Sequence, residues 1–296
     1  MAAQGAGRVS SVVAVGTFDG VHRGHQHLLA ELRRRAAARG ARSVVVTFDP
    51  PPRMVLRPDA DYQLLTSTDE RVALLEREVD TVELLAFDAA LAATTAEQFC
   101  AGLVERHGMV ELVGGPDLAL GRRRAGTPPV LREIGARLGF EVGLLDQLAL
   151  GGQPVRSGEI RRRLLAGDVP GAADLLGRAP TLQGTVVRGD QRGRTLGFPT
   201  ANLDSPAERL IPGDGVYAAR VRGRPAVMNI GVRPTVGGTR RVVEVHLLDW
   251  SGDLYGKRLT VDLIARLREE RRFPSLEALV AQIRSDVAAA REVLGA

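Results

Sequence analysis

Two stretches of this chain carry residues whose types and spacing suit chemistry on phosphates. The first, GTFDGVHRGHQ, spans residues 16–26 and sets His22 and His25 around Gly24. The run before it, SVVAV (11–15), has the composition of a buried strand. The run after it, HQHLLAELRRRAAARG (25–40), puts Leu28, Leu32 and Ala36 on one helical face and stops at Gly40. A strand, a glycine-bearing turn and a helix start together make an anion site. Gly16, Gly20 and Gly24 let the backbone approach a phosphate closely, and the helix start offers free N–H groups at the positive end of its dipole. His22 and His25 stand at that end, able to donate to phosphate oxygens. Asp19 reads as a residue that holds the turn rather than one that reacts.

The second stretch is GTVVRGDQRGRTLGFPTANL (184–203). Gly189, Gly193 and Gly197 alternate with Arg188, Arg192 and Arg194, giving a loop that can cover phosphates with N–H groups and positive charge. The loop runs through Pro199 into Thr200 and Asn202. Their hydroxyl and amide oxygens suit a hard cation such as Mg²⁺ and its phosphate ligands. Further on, VVEVHLL (242–248) alternates apolar and polar, so Glu244 and His246 share a face. From the pattern alone Glu244 is either a solvated strand carboxylate or a base.

The elements that must position these residues fall into two rhythms. Up to about residue 150, apolar strands alternate with helical patterns: SVVVTF (43–48), STDERVALLEREV (67–79), TVELLAF (81–87), TTAEQFCAGLVERHG (94–108), MVELVGG and FEVGLL. Capping boxes are expected at Ser67/Glu70 and Thr94/Glu97. Such alternation predicts an α/β domain with a parallel sheet. Beyond residue 180, short β-prone runs punctuated by Gly and Pro predict a small antiparallel β-barrel. A C-terminal helix should pack on it through Leu276, Leu279, Val280, Ile283 and Val287. The expected domains are residues 1–170 and 180–296, joined around AGDVPGAADLLGRAP.

Composition limits the function class. With 44% hydrophobic and 25% charged residues, the 296-residue chain has the make-up of a globular protein. Its net charge of +5 comes with arginine clusters such as Arg33–Arg35 and Arg161–Arg163 inside helical patterns, which read as solvated faces rather than a nucleic-acid surface. The single cysteine, Cys100, excludes an intrachain disulfide. No apolar run reaches the roughly 18 residues of a membrane span, and the N-terminal residues lack an apolar signal core. The expectation is a cytoplasmic protein with no membrane partner; whether it forms a homo-oligomer is left open.

The first stretch resembles the H-x-G-H signature of nucleotidylyltransferases. Its longer form, G-x-F-D-G-V-H-x-G-H-Q, resembles the N-terminal module of the bacterial bifunctional riboflavin kinase/FAD synthetase family. The second resembles that family's riboflavin kinase signature, G-R-T-L-G-F-P-T-A-N. The likeness continues through GVYAARV (215–221), MNIGVRPT (228–235), EVHLLD (244–249), GDLYGKRL (252–259) and LREERRF (267–273), so it covers nearly the whole chain. It implies a Rossmann-like nucleotidylyltransferase domain followed by a riboflavin kinase-like barrel, with ATP, Mg²⁺, riboflavin and FMN as ligands. In the barrel, ATP phosphates would lie under Gly189, Gly193, Arg194, Gly197 and Pro199. Mg²⁺ would sit at Thr200 and Asn202, and Glu244 would be general base for the riboflavin 5′-hydroxyl. Arg268 and Glu270 would border the flavin. In the first domain, His22 and His25, with Gly16 and Gly24, would stabilise charge on ATP as the FMN phosphate attacks its α-phosphorus. Ser157 and Arg161 match a phosphate-binding segment, and Asp117 matches a flavin-side segment.

The first domain departs from the family pattern at five places. Pro51 stands where a histidine is usual, Leu118 and Leu120 where aromatics are, Arg156 for a serine and Gly158 for a threonine. Losing one preorganised donor from a charge-stabilising site costs roughly 10² to 10³ in rate. Two further readings therefore stand beside a bifunctional flavin enzyme. One is a riboflavin kinase with a degenerate or repurposed nucleotidyltransferase domain. The other is a non-catalytic flavin- or nucleic-acid-binding protein.

Overall fold

The computed structural model describes residues 10–58, 62–189, 197–235 and 238–296, and the chain divides into two compact units, residues 1–156 and 157–296. The first unit holds a five-stranded parallel sheet of order β3-β2-β1-β4-β5. Its strands are β1 (Ser11–Val15), β2 (Arg42–Asp49), β3 (Thr81–Ala86), β4 (Met109–Gly114) and β5 (Glu141–Leu144). Valines on alternate sides of the strands explain the layering. Val13, Val44, Val46 and Leu112 face one helical layer; Val12, Ala14, Val45 and Val113 face the other. The sheet reverses order between β1 and β4, so the turn after β1 opens at the topological switch point, where ligands of open α/β sheets bind.

The helices here are α1 (Arg23–Ala38), α2 (Pro52–Leu56), α3 (Thr68–Leu75), α4 (Ala89–Ala93), α5 (Ala96–His107) and α6 (Pro128–Leu138). Helix α1 buries Leu29, Leu32 and Ala36, one position round from the expected Leu28, and Gly40 follows it in the left-handed region at φ +59°. The box at Ser67/Glu70 forms as expected. The second box is displaced by one residue, to Thr95 and Gln98. Thr94 is not available for it because Thr94 closes α4, its hydroxyl donating to the Ala90 carbonyl at 3.2 Å. A short hairpin, β6 (Ala149–Leu150) with β7 (Gln153–Pro154), ends the unit.

The second unit opens with α7 (Ser157–Leu165) and α8 (Val169–Leu176). The compact units divide at residue 156, before the join expected around AGDVPGAADLLGRAP. One physical reason is that Gly213 N–H donates to the Leu164 carbonyl at 2.9 Å, which ties α7 to the strands that follow. Six antiparallel strands then close a barrel of order β10-β11-β12-β9-β8-β13. They are β8 (Thr181–Val187), β9 (Ala201–Asp204), β10 (Gly215–Val221), β11 (Arg224–Thr235), β12 (Gly238–Leu247) and β13 (Arg258–Arg268). Inward residues such as Leu182, Leu203, Tyr217, Met228, Val245 and Val261 fill the barrel, while Ala218, Val227 and Ile264 give its outer wall an apolar patch.

The C-terminal helix α9 (Leu276–Leu294) packs on the barrel wall, with Leu279, Val280, Ile283 and Val287 of the expected stripe half-buried and the most buried contact shifted toward its C-terminal end. Ala290 and Leu294 seat against Ala218, with Asp286 buried on the same side, while Leu276 is 56% exposed. Asp286 belongs inside because Arg268 meets it there through two hydrogen bonds, at 2.9 and 2.8 Å.

Candidate active sites

The turn after β1 is built from unusual backbone. Phe18, Gly20 and Val21 all have positive φ, at 51°, 82° and 38°. Two non-glycine residues in that region store strain that the surroundings must hold. Asp19 does this: its buried carboxylate accepts from the Leu65 N–H at 2.9 Å and the Thr66 N–H at 3.1 Å, and Gly20 N–H donates to Thr66 Oγ1 at 3.0 Å. The reading of Asp19 as a holder of the turn agrees with this geometry.

His22 caps α1, its Nδ1 accepting from the His25 N–H at 3.3 Å. In the neutral ring the proton therefore sits on Nε2. The His22 and His25 rings stack with centroids 3.7 Å apart, and Phe18 meets His25 edge-on at 5.1 Å. Withdrawal from water, and then the neighbouring His22, hold His25 well below the ordinary histidine value. His25 Nδ1 is buried with no hydrogen-bond partner, a cost of about 1–3 kcal/mol that a bound polar group would relieve. No acidic residue stands in the first turn of α1, so nothing there offsets the positive end of its dipole. The glycines fit this crowding: a Cβ on Gly16 would lie 3.1 Å from the Phe18 ring, and one on Gly24 would lie 3.2 Å from His22.

Other residues of the first unit are placed as follows. Asp117 is exposed, and its carbonyl accepts from Arg124 Nη2 at 2.8 Å. Leu118 and Leu120 lie in the core beside Phe48, Phe99 and Leu112. Pro51 precedes α2 in an extended conformation, and Arg156 donates to Gln147 Oε1 at 3.0 Å. Ser157, Gly158 and Arg161 belong to α7, counted with the second unit.

The second site lies on the outer face of the barrel. Glu244 is in register with Asn202 of β9 on one side and Asn229 of β11 on the other. All three are half-buried, while their strand neighbours Val243, Val245, Ala201 and Met228 point inward. Thr200 Oγ1 donates to Glu244 Oε1 at 3.4 Å. Gly189 leaves room for the Asn202 amide, which would lie 2.3 Å from a Cβ there. Gly197 takes φ +84°, and the Pro199 carbonyl meets His246 Nδ1 at 2.7 Å. Gly193 and Arg194 lie outside the described residues. Thr200, Asn202, Glu244, Gly189 and Pro199 are thus brought together at one end of β12.

Two residues along β11 from Asn229, Glu270 covers Gly231 and accepts from the Val232 N–H at 3.3 Å. Arg268 commits Nε and Nη2 to Asp286, and Nη1 to the Glu269 carbonyl at 2.9 Å. Its contribution to that edge is to pin β13 to α9.

Comparison with known proteins follows the same division. Residues 6–159 match the model of the FAD synthetase family, and residues 176–294 that of riboflavin kinase. A bifunctional riboflavin kinase/FMN adenylyltransferase of Pseudomonas fluorescens is 43% identical over 286 residues, covering 95% of this chain and 92% of that one. The chain belongs to the bifunctional riboflavin kinase/FMN adenylyltransferase family. The family's Escherichia coli K12 member is 40% identical over 292 residues, covering 96% of this chain and 93% of its own. A crystal structure described as a macrolide-efflux protein from Streptococcus pneumoniae is also similar, with TM-score 0.87 and 32% identity over 96% of this chain and 95% of that one. That description differs from the names of the family's curated members. Among the described residues, no helix is long and apolar enough to cross a membrane.

Within this family frame, the sequence reading passed over two groups that the structure brings forward. Asn229 sits beside Glu244, and only the β11–β12 register reveals it, since nothing in MNIGVRPT singles it out. Arg71 is fully buried in the first unit, donating from Nη2 to the Phe48 carbonyl at 2.6 Å, with Nε and Nη1 unpartnered. Burial lowers its pKa, against the pull of Asp19, Asp49 and Tyr62. Nothing in an exposed-helix pattern such as DERVALL signals a buried guanidinium.

Proposed function

We infer that this chain phosphorylates riboflavin to FMN with ATP in its barrel unit, and adenylylates FMN to FAD in its α/β unit. The observation that carries the kinase reading is the Thr200–Glu244 contact of 3.4 Å, with Asn202 in register beside it, inside the segment that matches riboflavin kinase. Glu244 takes the proton of the riboflavin 5′-hydroxyl as that oxygen bonds to the γ-phosphorus of ATP. The bond from that phosphorus to the bridging oxygen breaks, and ADP leaves. A positioned base typically contributes about 10² to 10⁴, with orientation and electrostatics supplying most of the rest. Gly189, Gly193, Arg194, Gly197 and Pro199 form the phosphate cover in this reading. Thr200 Oγ1 and Asn202 Oδ1 are the hard oxygen donors that Mg²⁺ accepts; bound there, the cation would offset charge on the ATP phosphates. Glu270 borders the flavin, and Arg268 holds the strand that carries that edge.

In the α/β unit, an FMN phosphate oxygen bonds to the α-phosphorus of ATP while the bond to the β-phosphate oxygen breaks and pyrophosphate leaves. His22, His25 and the positive N-terminal end of α1 stabilise the charge that grows on the leaving group. Gly16 and Gly24 keep the turn open to it. Asp117 is the flavin-side group of this unit.

The test is one time course of purified protein with riboflavin, ATP and Mg²⁺, the flavins separated by chromatography. FMN should form first and FAD after it. Glu244→Gln should slow FMN formation by about 10² to 10⁴ and still convert supplied FMN to FAD. FMN that accumulates without FAD would leave a kinase with an altered nucleotidyltransferase domain. Absence of FMN from the wild type would overturn the kinase reading.

A further inference from the structure

Among the described residues, no ladder pair holds the residues just before β9. The ladder between β12 and β9 contains only the pairs Glu244↔Asn202 and Val245↔Ala201, so it stops short of Pro199 and Thr200. Pro199 has no N–H to donate. Two side chains of β12 take over at this point. Glu244 accepts from Thr200, and His246 Nδ1 lies 2.7 Å from the Pro199 carbonyl, with its ring edge-on to Phe198 at 5.8 Å and 80°. Two positions apart on one strand, Glu244 and His246 point to the same face, roughly 7 Å apart along it. A carbonyl oxygen only accepts, so the ring must carry its proton on Nδ1.

We propose that His246 is a positioning residue for the kinase reaction: its Nδ1–H, donated to the Pro199 carbonyl, fixes the turn that delivers the Thr200 hydroxyl to Glu244. This rests on the kinase reading above. His246 touches neither substrate nor metal in this role. It sets where Thr200 stands, and misplacement of a reacting group by about 1 Å can cost on the order of 10² in rate.

The experiment compares riboflavin kinase kinetics of the wild type with His246→Ala and His246→Asn. The asparagine amide N–H reaches the place of Nδ1–H, so it can restore the bond without the ring. Expected are a loss of roughly ten- to a hundredfold in kcat for His246→Ala, a riboflavin KM within about twofold of wild type, and recovery of most of kcat by His246→Asn. Wild-type rates for His246→Ala, or an asparagine variant as slow as the alanine one, would overturn the proposal. Nitrogen-15 NMR of the unsubstituted protein gives a readout that does not depend on how the variants fold. A His246 ring carrying a proton on Nδ1 is expected, and a ring protonated at Nε2 alone would overturn the assignment. A wild type without kinase activity would instead count against the kinase reading, which the tautomer measurement does not touch.

Discussion

His22 Nδ1 accepts the backbone N–H of His25, and the same two side chains stack face to face 3.7 Å apart. One residue thus caps α1 and also stacks on its neighbour's ring. The roles separate by substitution. Asparagine caps helices well, so His22→Asn should keep thermal stability, whereas His22→Ala should lose about 1 kcal/mol. Both should slow FAD formation by roughly 10² to 10³, with FMN formation from riboflavin unchanged as the internal control.

The depressed pKa of His25 has a consequence for acid stability. The unfolded histidine titrates near 6.5, while burial and His22 keep the folded ring neutral to lower pH. The folded chain therefore binds fewer protons, and this contribution to stability is present above pH 6.5 and lost as pH falls toward the depressed value. His25→Gln should flatten the part of the stability–pH curve below 6.5, measured by denaturant unfolding across that range.

Asp19 is where the turn can be broken without touching the histidines. Its carboxylate serves two backbone N–H groups of the 65–66 segment. Asp19→Ala strands both in a buried place and should cost about 2–3 kcal/mol of stability in the α/β unit. Calorimetry should show that transition move, and FAD formation fall with it.

The Arg268–Asp286 pair should behave as an anchor. Its two side chains are 19% and 6% exposed, so removing either leaves a buried charge without its partner. Arg268→Met and Asp286→Ala should each destabilise the barrel by roughly 3–5 kcal/mol. The double substitution should be much less harmful than the sum, a coupling that a double-mutant cycle measures directly.

The parts legible in the sequence were those written locally. Valine runs mark β1 and β2 because strands buried on both faces need them, and Ser67 with Glu70 spells a cap within four residues. The face shared by Glu244 and His246 follows from a two-residue period. What stayed hidden depends on partners distant in the chain. Arg268 meets Asp286 only once α9 lies on the barrel, so an apolar stripe could not find a buried aspartate. Asn229 gains its place from strand register, and Thr94 lost the expected cap to a five-residue helix too short to show periodicity.

Cys100 lies fully buried in the α/β core beside Phe99 and Leu103, its thiol pushed up to about 12 by burial and then by Glu97. Thiol reagents need the thiolate and a path to it, and the folded unit denies both. Since the chain has one cysteine and the barrel has none, reagent uptake is a natural clock. Its rate counts the openings of the nucleotidyltransferase unit alone and is blind to those of the kinase, so the breathing of that one half can be timed without adding a label.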